Sequence, residues 1–291
     1  MDKHDVGMEP SRIISATRHF WLLGAALLLS GCGWVAQVSQ NLELRNYDRH
    51  IRNATQAIAS ARDRGEQAQA YSTRGTAYAE KARYSLAFKL IEAAEYDRLF
   101  EQAMRDHNQA IALNPENAKL YYNRGLAYWN RGTSEMSDHK DAKSWFDQAA
   151  ADFEVSAKKD PRDYEAFDML GLSYEQSSEW EQAIDAYTRE LALNPKLGTA
   201  RLADAYCGRG QDDARKMNLE AAAVDYEKSV ELGSKTDDGC SCEPYDSLLV
   251  IYTQTGQYEK AWKFVHWAQN SKHWLDPELV GLLRKSSGRS S

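Results

Sequence analysis

Four cysteines and seven histidines are the residues of this 291-residue chain best able to bind a metal or move electrons. Two of the cysteines stand as Cys240-Ser241-Cys242, a spacing that suits a redox pair or half of a metal site. His266 and His273 follow, but no second pair of ligands lies at a tight spacing, so no metal is expected. In an oxidising compartment the better reading is a disulfide, either Cys240 with Cys242 or one of them with Cys207. A thiol-redox or metal-handling protein built on Cys240 and Cys242 is therefore the alternative function. Four cysteines are too few for a fold held together by disulfides. The sequence contains no phosphate loop, no Gly-x-Ser-x-Gly elbow, no His-Glu-x-x-His and no obvious carboxylate pair. Its acidic runs read as solvated helix faces, so neither a cofactor nor an enzymatic activity is expected.

Cys32 has a different chemistry in prospect. Phe20 to Leu29, FWLLGAALLL, is an apolar run of ten residues behind Arg12, Arg18 and His19. A mature membrane-spanning helix needs about 20 such residues, whereas a short apolar core behind a positive flank is the pattern of a secretory signal. The run ends in Leu29-Ser30-Gly31-Cys32, which resembles the bacterial lipobox. The resemblance implies that residues 1–31 are a lipoprotein signal peptide. It also implies that Cys32 takes a diacylglyceryl group on its thiol and becomes the new N-terminus. At roughly 0.8 kcal/mol per buried methylene, two or three acyl chains anchor stably in a bilayer. Gly33, where an Asp would mark inner-membrane retention, favours the outer membrane, facing the periplasm, by the same resemblance. Asp2, Asp5 and Glu9 precede the run, and a start at Met8 would leave a shorter, net positive flank.

The net charge of -7 argues against nucleic acid, which rewards clustered Lys and Arg. Hydrophobic residues make up 43% of the chain, with 16 Tyr and 8 Trp, enough to fill an interior. Proline is scarce at 6 and strand-like alternation is absent, which predicts an all-α fold.

One pattern recurs through residues 67–270. In its most regular copy Phe167, Leu170, Gly171 and Tyr174 are followed by Ala183, Tyr187 and Pro195. These residues resemble the tetratricopeptide repeat (TPR), a hairpin of helices A and B about 34 residues long. In that motif a small residue at position 8 and an Ala at position 20 sit where the helices cross, position 24 is aromatic, and a proline at position 32 ends helix B. Glu190 departs from the motif, where position 27 is usually Ala. An earlier copy has Tyr71, Gly75 and Tyr78, then Ala103, His107, Ala110 and Pro115. A second has Tyr121, Gly125 and Tyr128, then Ala149, Phe153 and Pro161. Both carry Arg at position 7 (Arg74 and Arg124), and they exceed the motif by about 16 and 12 residues. The first excess lacks Gly and Pro and should lengthen its helices. The second, with Gly132, Ser134 and Asp138, reads as a loop. A fourth copy places Leu202, Ala203 and Tyr206 in helix A, an inserted turn from Gly208 to Lys216, and Ala222 and Tyr226 in helix B. The fifth runs from Tyr245 to Ala268.

The expected architecture is thus an all-α TPR solenoid of about five helix-pair repeats, with the first, second and fourth lengthened or interrupted. Residues 32–66 form the lipidated N-terminus, a linker and a leading helix. Residues 271–291 form a closing helix, capped by Asp276 with Pro277 in its first turn, and a disordered tail from Ser286.

In TPR arrays, positions 2, 5, 9 and 12 of each A helix line the binding groove. The resemblance assigns them to Lys119, Tyr122, Leu126 and Trp129 in the second repeat and to Glu165, Asp168, Leu172 and Glu175 in the third. Aromatic and acidic residues together suit a segment with basic and apolar side chains. The clamp for C-terminal carboxylates is excluded. Its positions fall on Ser72, Thr76, Asn123, Glu165 and Met169, where only Asn123 fits and Glu165 has the wrong sign. Cys207 and Cys242, in parallel neighbouring A helices, would be offset by about 11 positions, roughly 16 Å at 1.5 Å per residue. A disulfide needs Cα atoms within about 7 Å, so Cys207 is expected to be free. The function read from the sequence is a lipid-anchored periplasmic adaptor. Its groove binds a segment of another envelope protein during assembly of an envelope complex.

Overall fold

A computed structural model describes residues 33–137, 141–233 and 244–289, and every regular element among them is an α-helix. The twelve helices are α1 (Gly33–Ser60), α2 (Arg64–Ala87), α3 (Ala93–Leu113), α4 (Ala118–Ser137), α5 (Lys143–Lys159), α6 (Tyr164–Gln176), α7 (Trp180–Leu193), α8 (Pro195–Arg215), α9 (Leu219–Gly233), α10 (Pro244–Gln254), α11 (Tyr258–Asn270) and α12 (Pro277–Ser287). None of the described helices is long and apolar enough to cross a membrane. The chain forms two compact units, one reaching Ala103 and the other beginning at Met104.

In the first unit α1 and α2 form a hairpin joined at 61–63. Asp63 caps α2 by accepting the Glu66 amide at 2.8 Å. The inner face of α2 is built from Ala68, Ser72, Gly75, Ala79 and Ala82, small side chains that let the helices approach closely. Tyr84 packs against Tyr47 at 5.8 Å, and Lys81 reaches Asp48 at 2.7 Å. No linker lies between Gly33 and this hairpin, since α1 already begins at Gly33. Both α2 and α3 are long, as the lack of Gly and Pro in the first repeat's excess residues predicts.

The second unit continues as hairpins α4/α5, α6/α7, α8/α9 and α10/α11, with α12 packed on the last pair. Prolines mark the ends of the B helices as expected. Pro161 follows α5, and Pro195 both stops α7 and opens α8, where Asn194 caps the Leu197 amide. Asp276 caps α12, its Oδ1 accepting the Glu278 amide at 2.8 Å, with Pro277 at the first position. The tail expected from Ser286 is helical through Ser287. The Ser287 hydroxyl accepts from Trp262 Nε1 at 3.1 Å and donates to the Leu283 carbonyl at 2.7 Å. Gly288 then ends the helix in the left-handed region, at φ 69°.

Two of the expected interruptions are helix instead. The second repeat has no loop at Gly132 and Ser134, because α4 runs through both to Ser137, and Asp138 lies outside the described residues. A Cβ on Gly125 would lie 2.9 Å from the Phe153 ring, and one on Gly132 would lie 2.8 Å from the Phe146 ring. The second contact is seven residues further along α4 and seven further back along α5. The hairpin has therefore gained about two turns in each helix, with a second glycine-to-ring crossing. In the fourth repeat α8 is continuous across Gly208 and Gly210, and the turn comes at Lys216–Asn218, where Met217 has φ 63°. Gly208 faces the Trp180 ring, and Gly210 faces the Tyr226 ring at 3.2 Å. Gly210 thus fills the crossing position given to Ala203. Seven residues make nearly two whole turns, so both choices present a small residue on nearly the same face. The added turns of this repeat lie at the start of α8, and they shape the candidate site.

Candidate functional site

The α6 sequence puts Glu165, Asp168, Leu172 and Glu175 three or four residues apart, on one face, all half-buried. Asp163 caps the helix with its Oδ1 accepting the Glu165 and Ala166 amides. The first two turns of α8 pack close to this face. Gly198 lets these turns also lie close to α7, because a Cβ there would collide with the Leu191 backbone. From those turns Arg201 Nε donates to Asp168 Oδ1 at 2.8 Å. From α7 the fully buried Tyr187 donates its hydroxyl to Glu175 Oε2 at 2.9 Å. Gly171 makes room for the Tyr187 ring, which a Cβ would strike.

Glu190 completes this polar layer and is its exception. It is fully buried, and neither carboxylate oxygen has a hydrogen-bond partner. Burial, reinforced by the Asp168 charge and opposed by Arg201, pushes its carboxyl up to about 8. Burial also raises Asp168 and Glu175, with Arg201 opposing the first and the Tyr187 hydrogen bond the second. The Tyr187 phenol is held well above its ordinary value, mainly by burial. Three carboxyl groups therefore gather around one guanidinium.

The second expected row is more internal. Tyr122 is buried, packed edge-on against Phe153 at 5.5 Å, so it lines no open groove; this corrects the sequence reading. Lys119 is half-buried, with its ammonium 4.0 Å above the Tyr122 ring. Trp129 packs on Phe146 at 5.0 Å, and Leu126 is half-buried in the same cluster. The two added turns of α5 supply Phe146, which gives Trp129 an internal neighbour. Arg124, odd for its position, forms a two-pronged pair with Asp152 at 2.7 Å that ties α4 to α5. Arg209 and Asp225 repeat the device between α8 and α9.

Cys32, Cys240 and Cys242 lie outside the described residues. Cys207 is fully buried and disulfide-bonded, which corrects the expectation of a free thiol. That expectation assumed Cys242 in helical register, and Cys242 is not among the described residues. Among the described residues no cluster of three or more His, Cys, Asp or Glu could hold a metal ion.

Residues 100–132, the second half of α3 and most of α4, match the family model for the TPR repeat. The chain carries tetratricopeptide repeats. Solved TPR structures resemble it at low identity. YrrB, described as a TPR protein with an unusual peptide-binding site, is 19% identical, with 80% of this chain and 97% of that one covered at a TM-score of 0.42. MamA is 21% identical over 69% of this chain and 92% of its own at 0.42. Pseudomonas aeruginosa PilF is 13% identical over 88% and 91% at 0.39. No curated protein matches the sequence. Within the TPR frame Asp168 and Glu175 carry groove position numbers, and Glu190 stands out as a departure from alanine. Arg201 carries none, because the register that put Ala203 at the crossing leaves Arg201 off the groove positions.

Proposed function

We propose that this TPR protein is a lipid-anchored adaptor of the bacterial cell envelope. It is tethered through Cys32 at the outer membrane, facing the periplasm, and holds a segment of another envelope protein during assembly of an envelope complex. TPR hairpin arrays are protein-interaction scaffolds, and the role assigned here is binding rather than catalysis. The observation that carries the binding role is the half-buried face of α6 and α8, where Asp168, Glu175 and Glu190 gather around a single guanidinium. Such a face suits a partner segment with basic and apolar side chains, and it suits nucleic acid poorly.

The anchor rests on Leu29-Ser30-Gly31-Cys32 behind its apolar run. The Cys207 disulfide supports the same setting, since disulfides persist in oxidising compartments such as the periplasm. Thiol-redox function gains less from it, because a reactive cysteine must be accessible and Cys207 is fully buried.

The test is metabolic labelling with radioactive palmitate, in parallel with cross-linking in intact cells. Label on the native protein and none on Cys32→Ala is the expected result, together with an envelope protein captured by both. Label that survives Cys32→Ala refutes the anchor.

A further inference from the structure

The polar layer of α6, α7 and α8 is one cation short. Asp168 is paired with Arg201 at 2.8 Å, and Glu175 accepts only from Tyr187 among the contacts that define the layer. Glu190 is fully buried with both oxygens unpartnered, and the charges that act on it are Asp168 and Arg201. A buried carboxyl without a partner is costly, and the usual residue at this repeat position would be a harmless alanine. Packing does not call for a carboxyl here, so its chemistry has to be explained by something that pairs with it.

Building on the adaptor reading, we propose that this face is a receptor for one lysine ammonium of the partner polypeptide, held by Asp168 and Glu175 with Glu190 as the buried counter-charge. An ammonium is compact and has three donors, enough to serve carboxylates from several directions, whereas Arg201 already occupies the planar, forked position on Asp168. The groups that act on or feel Glu190 are Tyr164 and Asp168 on α6 and Arg201 on α8, while Glu175 couples to Tyr187, Arg201 and Asp204 in the same layer. Of these only Arg201 is cationic, so a second positive charge meets net attraction. An arriving ammonium favours the ionised form of Glu190, so binding expels a proton whenever the free site is protonated. With a carboxyl that titrates at about 8, affinity therefore rises as pH increases towards that value and levels off above it.

The experiment is calorimetric titration of the full chain in detergent with acetylated, amidated pentalysine, in two buffers of different ionisation enthalpy. Native protein near pH 7 should release protons on binding, and affinity should climb towards about pH 8. Glu190→Gln, which keeps the shape of the side chain and should melt no lower than the native protein, should bind about tenfold more weakly and without proton release. Asp168→Asn should also weaken binding. Equal affinity and equal proton counts in native and Glu190→Gln protein would overturn the proposal. Spermidine binding as tightly as pentalysine would overturn the polypeptide source. If Glu190→Gln still captures the native partner in cells at full yield, the adaptor reading stands and this site falls. If no partner is captured while pentalysine binds as described, the adaptor reading fails and this site stands.

Discussion

Glu190 and His107 both sit fully buried with every polar side-chain atom unpartnered, and they make stability depend on pH in opposite senses. The Glu190 carboxyl is raised from its ordinary 4.5 to about 8, burial being the main cause. Above 4.5 the unfolded chain sheds this proton while the folded chain keeps it. The stabilisation is therefore complete below about pH 4.5 and lost progressively up to about pH 8, at no more than about 1.4 kcal/mol per pH unit. Glu190→Gln should match the native protein near pH 4 and melt higher, by at least about 3 °C, near pH 8 in differential scanning calorimetry. The His107 imidazole is lowered from 6.5 to about 3, by burial first and by Arg124 second. Its contribution is complete above about pH 6.5 and disappears as pH falls towards about 3, because the unfolded chain protonates first. His107 fills the repeat's aromatic position, so His107→Phe should keep the packing and remove this acid sensitivity. Melts of the two proteins should diverge as pH drops below about 6.5 and converge above it.

At the scale of helices, element type and pairing were legible, and helix length was legible in the first repeat but not in the second and fourth. Tyr121, Gly125 and Phe153 announce a crossing, and the prolines announce the ends, because each residue type answers a packing or hydrogen-bond requirement. Gly132, Gly208 and Gly210 misled because glycine has two uses, and a single sequence shows only its composition. Here all three serve close approach to a ring, of Phe146, Trp180 and Tyr226 respectively, inside continuous helix. Arg201 was hidden for a related reason. The register that put Ala203 rather than Gly210 at the crossing left it off the groove positions. This account has a direct check, since one substitution should have opposite signs at two helical glycines. Gly171→Ala would press a methyl into the Tyr187 ring and should cost about 1–3 kcal/mol in urea unfolding. Gly281→Ala in α12 meets nothing within 4 Å and should stabilise by about 0.5–1 kcal/mol, through helix propensity alone. Gly132→Ala belongs with the first. If it stabilised like Gly281→Ala, the glycine-to-ring crossing in the lengthened second hairpin would be wrong.

Taken as a whole molecule, the proposed anchor and the disulfide together fix one thiol stoichiometry. It has four cysteines, and one of them, Cys207, is already disulfide-bonded. The other three, Cys32, Cys240 and Cys242, are the cysteines available to pair with it. Lipidation converts the Cys32 thiol to a thioether, which neither titrates nor forms a disulfide, so in the anchored protein the partner of Cys207 must be Cys240 or Cys242. If Cys32 is acylated as proposed, removing it and the bonded pair from the four leaves one free thiol. Thiol titration of denatured, unreduced protein isolated from membranes should therefore count one. The Cys32→Ala protein should also count one, because the substitution deletes the acylated cysteine and no other. A native chain bearing an unmodified Cys32 should count two. Counting membrane-isolated against signal-blocked protein thus tests anchor and disulfide together, and a count of zero in the lipidated protein would contradict the pairing. Reduction should then lower the melting temperature, since a cross-link closing a loop of this size contributes about 3–4 kcal/mol by restricting the unfolded chain. Because Cys207 is buried within α8, that loss should become complete only under conditions that open the helix.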